Sequence, residues 1–464
     1  MFIGRNDELK KMNEMYAGDK FECAIIYGRR RVGKTTLIKE FIKDKNAVYF
    51  VAREASGALN LNLFSTDVYS ITAKELANNA FFSDWEKAFD YVFKVSKDRR
   101  LVLAIDEYPF LAGGYRPISS ILQAHIDEQF KDSKLFLILC GSSMSFMEHQ
   151  VLGYKSPLYG RRTAQFKIAP FNFFEALPFF KPYPKEDKAI LYGITGGIPE
   201  YLNKIDTAKT VSENILNLFL ATSGPMFEEP SNLLKQELRE PATYNGIIEA
   251  IADGASRLNE IATKCGIESN KCAKYLKSLM SLGIVKKEQP VTETSSKKSV
   301  YFLDDMMFRF WYRFVFPNMS GVVSGLGGAI FKAEISEALP AYMGLIFEDI
   351  CKQYLLEEAK KTNNALPFLP GKIGRWWGNN PIEKRQEEID ILTYRKDAAL
   401  FCECKWTNAP LDVNVLASLI KKTTLFHYKE KWFWLFSKSG FTDRLIYEAN
   451  KHGSVRLIRL DDML

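Results

Sequence analysis

Four histidines in 464 residues are few, and none stands in an HExxH frame, so the zinc-protease helix is excluded. Seven cysteines, at 23, 140, 265, 272, 351, 402 and 404, form no CxxC pair. Their odd count supports neither a disulfide framework nor a structural zinc site. Long apolar runs are missing too. Segments such as 101–105 and 135–140 fall far short of the roughly 20 residues that a bilayer-spanning helix needs. The opening MFIGRNDELKK carries charges where a secretory signal would be apolar, so a cytoplasmic chain without membrane attachment is expected. Neither charge sign dominates. The 63 Lys and Arg against 56 Asp and Glu leave +7, which permits an acidic partner such as DNA without demanding one. The sequence also lacks internal repeats and low-complexity tracts.

What is there suits a globular protein: 47% hydrophobic and 26% charged residues, and a length of roughly three domains at about 150 residues each. Short apolar strands at 23–28, 47–52, 101–107 and 135–143 alternate with helical patterns such as LIKEFIK and WEKAFDYVFKV. That alternation predicts an α/β fold, a parallel sheet with helices on both faces. Four segments are expected. Residues 1–165 form the core, 166–238 a helical lid, 239–316 a winged helix with its connector, and 317–464 a further α/β domain.

The residues that carry chemistry begin at Gly28. GRRRVGKTT (Gly28, Arg29, Arg30, Arg31, Val32, Gly33, Lys34, Thr35, Thr36) satisfies GxxxxGK[ST]. It sits between an apolar strand and a helical pattern, as a phosphate-binding loop must. Glycines let backbone N–H groups wrap phosphates, and the helix N-terminus adds a favourable dipole. Lys34 should reach the outer phosphates of ATP, and the Thr35 hydroxyl should ligate magnesium. LVLAIDE reads as a buried strand with acids at its carboxyl end. Asp106 there should hold the magnesium, and Glu107 should orient or deprotonate the attacking water. LFLILCGSS offers Ser142 or Ser143 as a γ-phosphate sensor, or simply as turn residues. Arg161 and Arg162 follow. Arg161 is a candidate for stabilising transition-state charge, in cis or from a neighbouring subunit of a homo-oligomer, with a solvated basic pair as the alternative.

Downstream, residues 242–303 suggest three helices and a hairpin. Cys272, Leu276, Leu279 and Met280 should face the core of the third helix. Lys271, Lys274 and Lys277 recur on another face that could meet DNA phosphates. The segment holds nine Lys and Arg, Lys297 among them, against six acids, a modest basic excess that also suits a solvated helix or protein contact. Further on, Glu348 flanks a helical apolar stripe, Asp390 lies on one strand, and Glu403 and Lys405 share a face of a second strand, with Cys402 and Cys404 pointing the other way into packing. The thirteen residues from Asp390 to Glu403 suit a hairpin. Arg375, Trp376 and Trp377 precede it and read as nucleic-acid contacts or as buried packing.

FIGRNDEL, GRRRVGKTT, LAIDE, ILCGSS, SPLYGRRT and GITGGIPEYL together resemble the prokaryotic, archaeal-type AAA-related ATPases close to the STAND group. The resemblance implies a P-loop ATPase with ATP and magnesium as cofactors. It places Arg5 and Glu8 near the adenine end, and Gly197 and Pro199 close to the base. The E…D…ExK set of Glu348, Asp390, Glu403 and Lys405 resembles the restriction-endonuclease-like core, where Asp and Glu bind magnesium and Lys serves the water. The expected function is ATP hydrolysis coupled to DNA binding or processing. The alternative is an ATP-dependent regulatory switch, or a protein-remodelling ATPase whose C-terminal domain binds without cutting.

Overall fold

A computed structural model of the chain describes residues 2–77, 79–295, 298–362, 365–381 and 383–464; Lys297 lies outside them. The chain divides into two compact units, Met1–Pro170 with Ile198–Glu200, and Phe171–Gly197 with Tyr201–Leu464.

The first unit is built on five parallel strands, β1 (Glu22–Tyr27), β2 (Ala47–Val51), β3 (Leu101–Asp106), β4 (Leu135–Gly141) and β5 (Ala164–Lys167), in the order β2-β3-β4-β1-β5. Every residue of β1, β3 and β4 is buried, as continuous apolar runs in the middle of a doubly covered sheet must be. The edge strands β2 and β5 alternate between partly buried and exposed or buried positions. β5, with only AQFK to show, has no apolar run and escapes the sequence reading. Helices α1 (Asn6–Ala17), α2 (Lys34–Ile42), α3 (Gly57–Thr72), α4 (Trp85–Asp98) and α5 (Ile118–Gln129) cover the sheet. α4 shows how the pattern becomes packing. Asp84 caps it by accepting from the Lys87 N–H, and Trp85, Ala88, Phe89, Val92 and Phe93 bury one stripe. Phe64 of α3 meets the Trp85 ring at 5.2 Å and the Phe50 ring at 5.3 Å, edge-on in the second case. Truncating a fully buried Phe64 to Ala would cost about 3–5 kcal/mol.

In the second unit, helices α6 (Pro241–Ala252), α7 (Leu258–Lys264) and α8 (Ser269–Ser281) precede an antiparallel hairpin of β6 (Val285–Glu288) and β7 (Val300–Leu303). α8 buries Cys272, Tyr275, Leu276 and Leu279. Met280, expected in that core, is only half buried, because Tyr275 supplies the fourth core side chain. The long α9 (Leu339–Lys360) leads to a mixed sheet in the order β12-β11-β10-β9-β8, from β8 (Lys372–Asn380), β9 (Arg385–Arg395), β10 (Ala398–Lys405), β11 (Glu430–Ser437) and β12 (Val455–Arg459). β8, β9 and β10 pair antiparallel; β10, β11 and β12 pair parallel. α10 (Val413–Lys422) and α11 (Asp443–Lys451) close over a core that includes Leu392, Phe401, Leu419, Phe433 and Leu445. No helix among the described residues is long and apolar enough to cross a membrane.

Candidate functional site

The phosphate loop joins β1 to α2. At Gly28 a Cβ would lie 2.3 Å from the Ile168 carbonyl oxygen, so nothing larger fits without moving the backbone. Gly33 has φ +89°, the left-handed conformation that opens the helix and that L side chains avoid. The Pro199 ring stands against it, 3.6 Å from where a Cβ would be. Arg31 within the loop is also left-handed, at φ 71°. Arg29, Val32 and Lys34 are buried, Arg30 is half buried, and Thr35 and Thr36 are exposed at the start of α2. The Lys34 amine donates to the carbonyl oxygens of Gly28 and Arg29, both at 2.9 Å, which holds it inside the curve of the loop. Arg5 braces the loop from outside, donating to the carbonyls of Val32 and Ala169, with Glu8 3.6 Å from its guanidinium.

β3 delivers the acids to the same end of the sheet. Asp106 Oδ2 accepts from the Thr35 hydroxyl at 2.7 Å and from the Tyr49 hydroxyl at 2.7 Å, while Oδ1 accepts from the Glu107 N–H at 2.9 Å. Burial alone would raise the Asp106 carboxyl. The hydrogen bonds from Tyr49, Cys140, Thr35 and the Glu107 backbone outweigh it and hold the group below the ordinary carboxylate value. Burial and Asp106 in turn push the Tyr49 phenol up. Glu107 sits at φ 51°, a strained conformation for a residue with a side chain. Its carboxylate accepts from the Ser142 hydroxyl, 3.1 and 3.3 Å away, at the end of β4, the strand that lies between β1 and β3. Ser143 instead occupies the N-cap position of the short helix Met144–Phe146. Lys34, Thr35, Asp106, Glu107 and Ser142 are therefore one constellation.

Tyr49 and Cys140 belong to it too and were not singled out from the sequence. The available signal was their position near the carboxyl ends of strands beside Asp106. Arg161 does not join them. It precedes β5, whose first residue pairs with Ala24 of β1, so it stands at the amino-terminal edge of the sheet, the end opposite the loop. There it forms a two-point ion pair with Asp127, at 2.6 and 2.7 Å. Arg162 lies alongside, 3.5 Å from the Leu152 carbonyl. The expectation that Arg161 could act in cis is corrected by this placement. Gly197, in the second unit, is fixed by packing: a Cβ would meet the Phe171 carbonyl oxygen at 1.7 Å.

A second cluster lies in the C-terminal sheet. Lys405 reaches Glu403 at 2.6 Å and Asp390 at 3.6 Å, and Lys422 of α10 meets Glu403 at 3.1 Å. The Cys404 N–H donates to Asp390 at 2.7 Å. Burial would lower the Lys405 amine, but the two carboxylates outweigh it and raise it. Glu348 of α9 is largely buried, 3.5 Å from Arg375, which also pairs with Glu388. Burial and then the Asp390 charge push Glu348 up to about 8; burial and Glu403 push Asp390 up to about 6. Cys402 and Cys404 are buried on the opposite strand face, where Cys404 lies against Cys351 of α9.

Glu348 and Asp390 line one cavity of about 220 Å³; Glu403 and Lys405 are not among its lining residues, and Lys405 instead bridges Glu403 and Asp390. The magnesium site expected of Glu348, Asp390 and Glu403 is not formed: no three His, Cys, Asp or Glu side chains among the described residues are arranged to hold a metal ion, and Arg375 and Lys422 pair with Glu348 and Glu403. Trp376 packs edge-on to Phe426, with centroids 4.8 Å apart, a packing role, and Trp377 is half buried.

Residues 2–205 match the family described as an ATPase domain predominantly from Archaea. Residues 311–418 match a family of archaeal and bacterial proteins of unknown function. An uncharacterized protein of Methanocaldococcus jannaschii is 34% identical over 472 residues, covering 100% of both chains. An uncharacterized ATP-binding protein of the same organism is 47% identical over 45 residues, 10% of this chain and 76% of that protein. Among solved structures, a Walker-type ATPase of Pyrococcus abyssi shares the fold, with a TM-score of 0.50, 18% identity, and coverage of 67% of this chain and 96% of that one. The loop, the acids beside it and the full-length relative together make this chain a member of the archaeal-type P-loop ATPase family, with an ATP-binding and ATP-hydrolysing first unit and a C-terminal part shared with proteins of unknown function.

Proposed function

We infer that ATP turnover in the first unit is magnesium-dependent and that it is coupled to nucleic-acid binding or processing by the second. The observation that carries the first half is the 2.7 Å contact between the Thr35 hydroxyl and an Asp106 carboxylate kept ionised by its donors. A hydroxyl and a carboxylate adjoining a phosphate loop are the donor set magnesium favours, so the residues present fit the ion. Bound magnesium would neutralise charge between the β- and γ-phosphates. Lys34 supplies a second positive charge to the same oxygens. Glu107, steadied by Ser142, orients the attacking water and takes its proton. Pro199 and Arg5 frame the loop, which supports their place beside the nucleotide.

For the second half, the helices α6 to α8 and the β6–β7 hairpin suit a winged helix spanning the expected 239–316. Lys271, Lys274 and Lys277 are all exposed on α8, a face that can neutralise phosphates. Asp390, Glu403 and Lys405 meet at the junction of β9 and β10, which favours the nuclease-like reading of 317–464. In that reading Asp390 and Glu403 hold a divalent ion and Lys405 serves the water, with Glu348 on the margin. The rival is an ATP-dependent switch that binds without cutting. The pairing of Lys422 with Glu403 and of Arg375 with Glu348 favours it, because those cations already balance the acids. Incubating the full chain with labelled DNA and magnesium or manganese, with and without ATP, separates the two. Cleavage lost in Asp390→Ala supports the nuclease. DNA binding that follows nucleotide state without any cutting supports the switch.

A further inference from the structure

The cavity beside Asp390 is bounded by the β6–β7 hairpin, α9 and the first two strands of the C-terminal sheet. Five of its lining side chains are Lys or Arg and four are acids. Three of the cations are incompletely served. The Lys352 side chain on α9 forms no hydrogen bond or ion pair among the described residues, although it lines the cavity. Lys286, from the hairpin, also lines it, and its carboxylate neighbour Asp304 stays 3.9 Å away. Arg309 spends Nε and Nη2 on the Leu303 carbonyl, at 2.9 and 2.6 Å. Its Nη1 is buried with no hydrogen bond, and its nearest acid, Asp349, is 3.9 Å off. Burial and then the charge of Lys286 lower the Lys352 amine, and the nearby charges of Glu288, Asp349 and Asp304 offset this only in part. Such an arrangement is relieved by an anion. The same walls are apolar at Phe302 and at Leu345, which is 47% exposed.

Cations beside an aromatic ring and an aliphatic side chain match a phosphate joined to a planar base. The size restricts the form of that ligand. A cavity of about 220 Å³ cannot take a duplex, whose major groove alone is about 12 Å wide. It suits a single nucleotide out of its stack. We propose that this slot receives one unpaired nucleotide of a single strand, with its phosphate at Lys286, Lys352 and Arg309 and its base against Phe302 and Leu345, so that the strand passes Asp390 unpaired. This deepens the nucleic-acid reading of the second unit and rests on it, but the slot can bind whether or not the carboxylates cut.

The test uses the full chain and the anisotropy of a fluorescent ten-nucleotide oligothymidylate, with a blunt duplex of equal length for comparison. Thymidine monophosphate and inorganic phosphate serve as competitors. Lys286→Gln combined with Lys352→Gln should weaken single-strand binding at least about tenfold. Leu345→Trp, which fills the slot from a half-exposed position, should do the same while leaving duplex binding unchanged. Thymidine monophosphate should compete, and inorganic phosphate should compete much more weakly. Single-strand affinity unchanged in both variants, with melting temperatures like the parent, overturns the proposal. So does equal competition by inorganic phosphate, which would mean a simple anion site. A chain that binds single strands through the slot but never cuts them, with Asp390→Ala behaving like the parent, would sink the nuclease reading and leave the slot standing.

Discussion

At the residue scale, Asp106 shows how a buried acid is kept charged. Three side chains and one backbone N–H donate to it, and of these donors only Thr35 and Glu107 are legible in a motif. Tyr49 lies 57 residues upstream of Asp106, and nothing in AVYFVA marks it. It becomes visible only when β2 pairs with β3 and brings its side chain over the strand end. Tyr49→Phe should therefore raise the magnesium concentration for half-maximal ATPase activity by roughly 10- to 100-fold, the range for lost partners of a metal ligand, with ATP affinity at saturating magnesium little changed. Lys34→Ala should abolish tight binding of magnesium ATP, read by equilibrium binding. Glu107→Gln should still bind ATP but turn it over at least about a hundredfold more slowly. Turnover at the parent rate in that variant would mean another group takes the proton. Glu348 gives a pH prediction. Its carboxyl, and that of Asp390, are raised, so between about pH 4.5 and 8 the folded chain holds protons that the unfolded chain has released. Stability then falls as pH rises through that window. Glu348→Gln should flatten the decline in melting temperature between pH 5 and 8, measured in metal-free buffer.

Among elements, legibility tracked apolar content along the chain. β1, β3 and β4 read correctly because central parallel strands are apolar on both faces, and β2, an edge strand, because AVYFV is still an apolar run; β5 did not, because AQFK offers none. The strands β9 and β10 follow the expected placement of Asp390 on one strand and of Glu403 and Lys405 on the next. What the pattern could not give was which cations would meet the acids, since Lys422 reaches Glu403 across 19 residues and a change of element. The same limit grouped Glu348 with Glu403 in one expected ligand set, whereas Glu348 lines the cavity beside Asp390 and Glu403 does not. For α8 the period of three did settle the exposed face. If Lys271, Lys274 and Lys277 meet phosphates, replacing all three with Ala should lower duplex affinity and reduce the salt slope by up to about 3, with little change in sequence preference. Titration at several salt concentrations measures it. A slope identical to the parent would turn attention from α8 to the β6–β7 hairpin.

For the whole molecule, the ATP constellation and the Asp390 cluster belong to different compact units. Asp390→Ala should accordingly leave basal ATP turnover within about twofold of the parent, since sites without shared partners act nearly independently. A large loss would show that the C-terminal cluster supports the folding of the first unit or feeds back on it. The placement of Arg161 has a different kind of consequence. β1 spans six residues, about 20 Å of strand, and Arg161 sits beside its start while the phosphate loop follows its end. If this arginine contributes to phosphate chemistry at all, it must do so at another molecule's nucleotide. That contribution would enter the rate law as a bimolecular term. Specific activity would then climb as the protein is concentrated, and the climb would disappear in Arg161→Ala. A reaction wholly contained in one chain would hold the same turnover at every dilution.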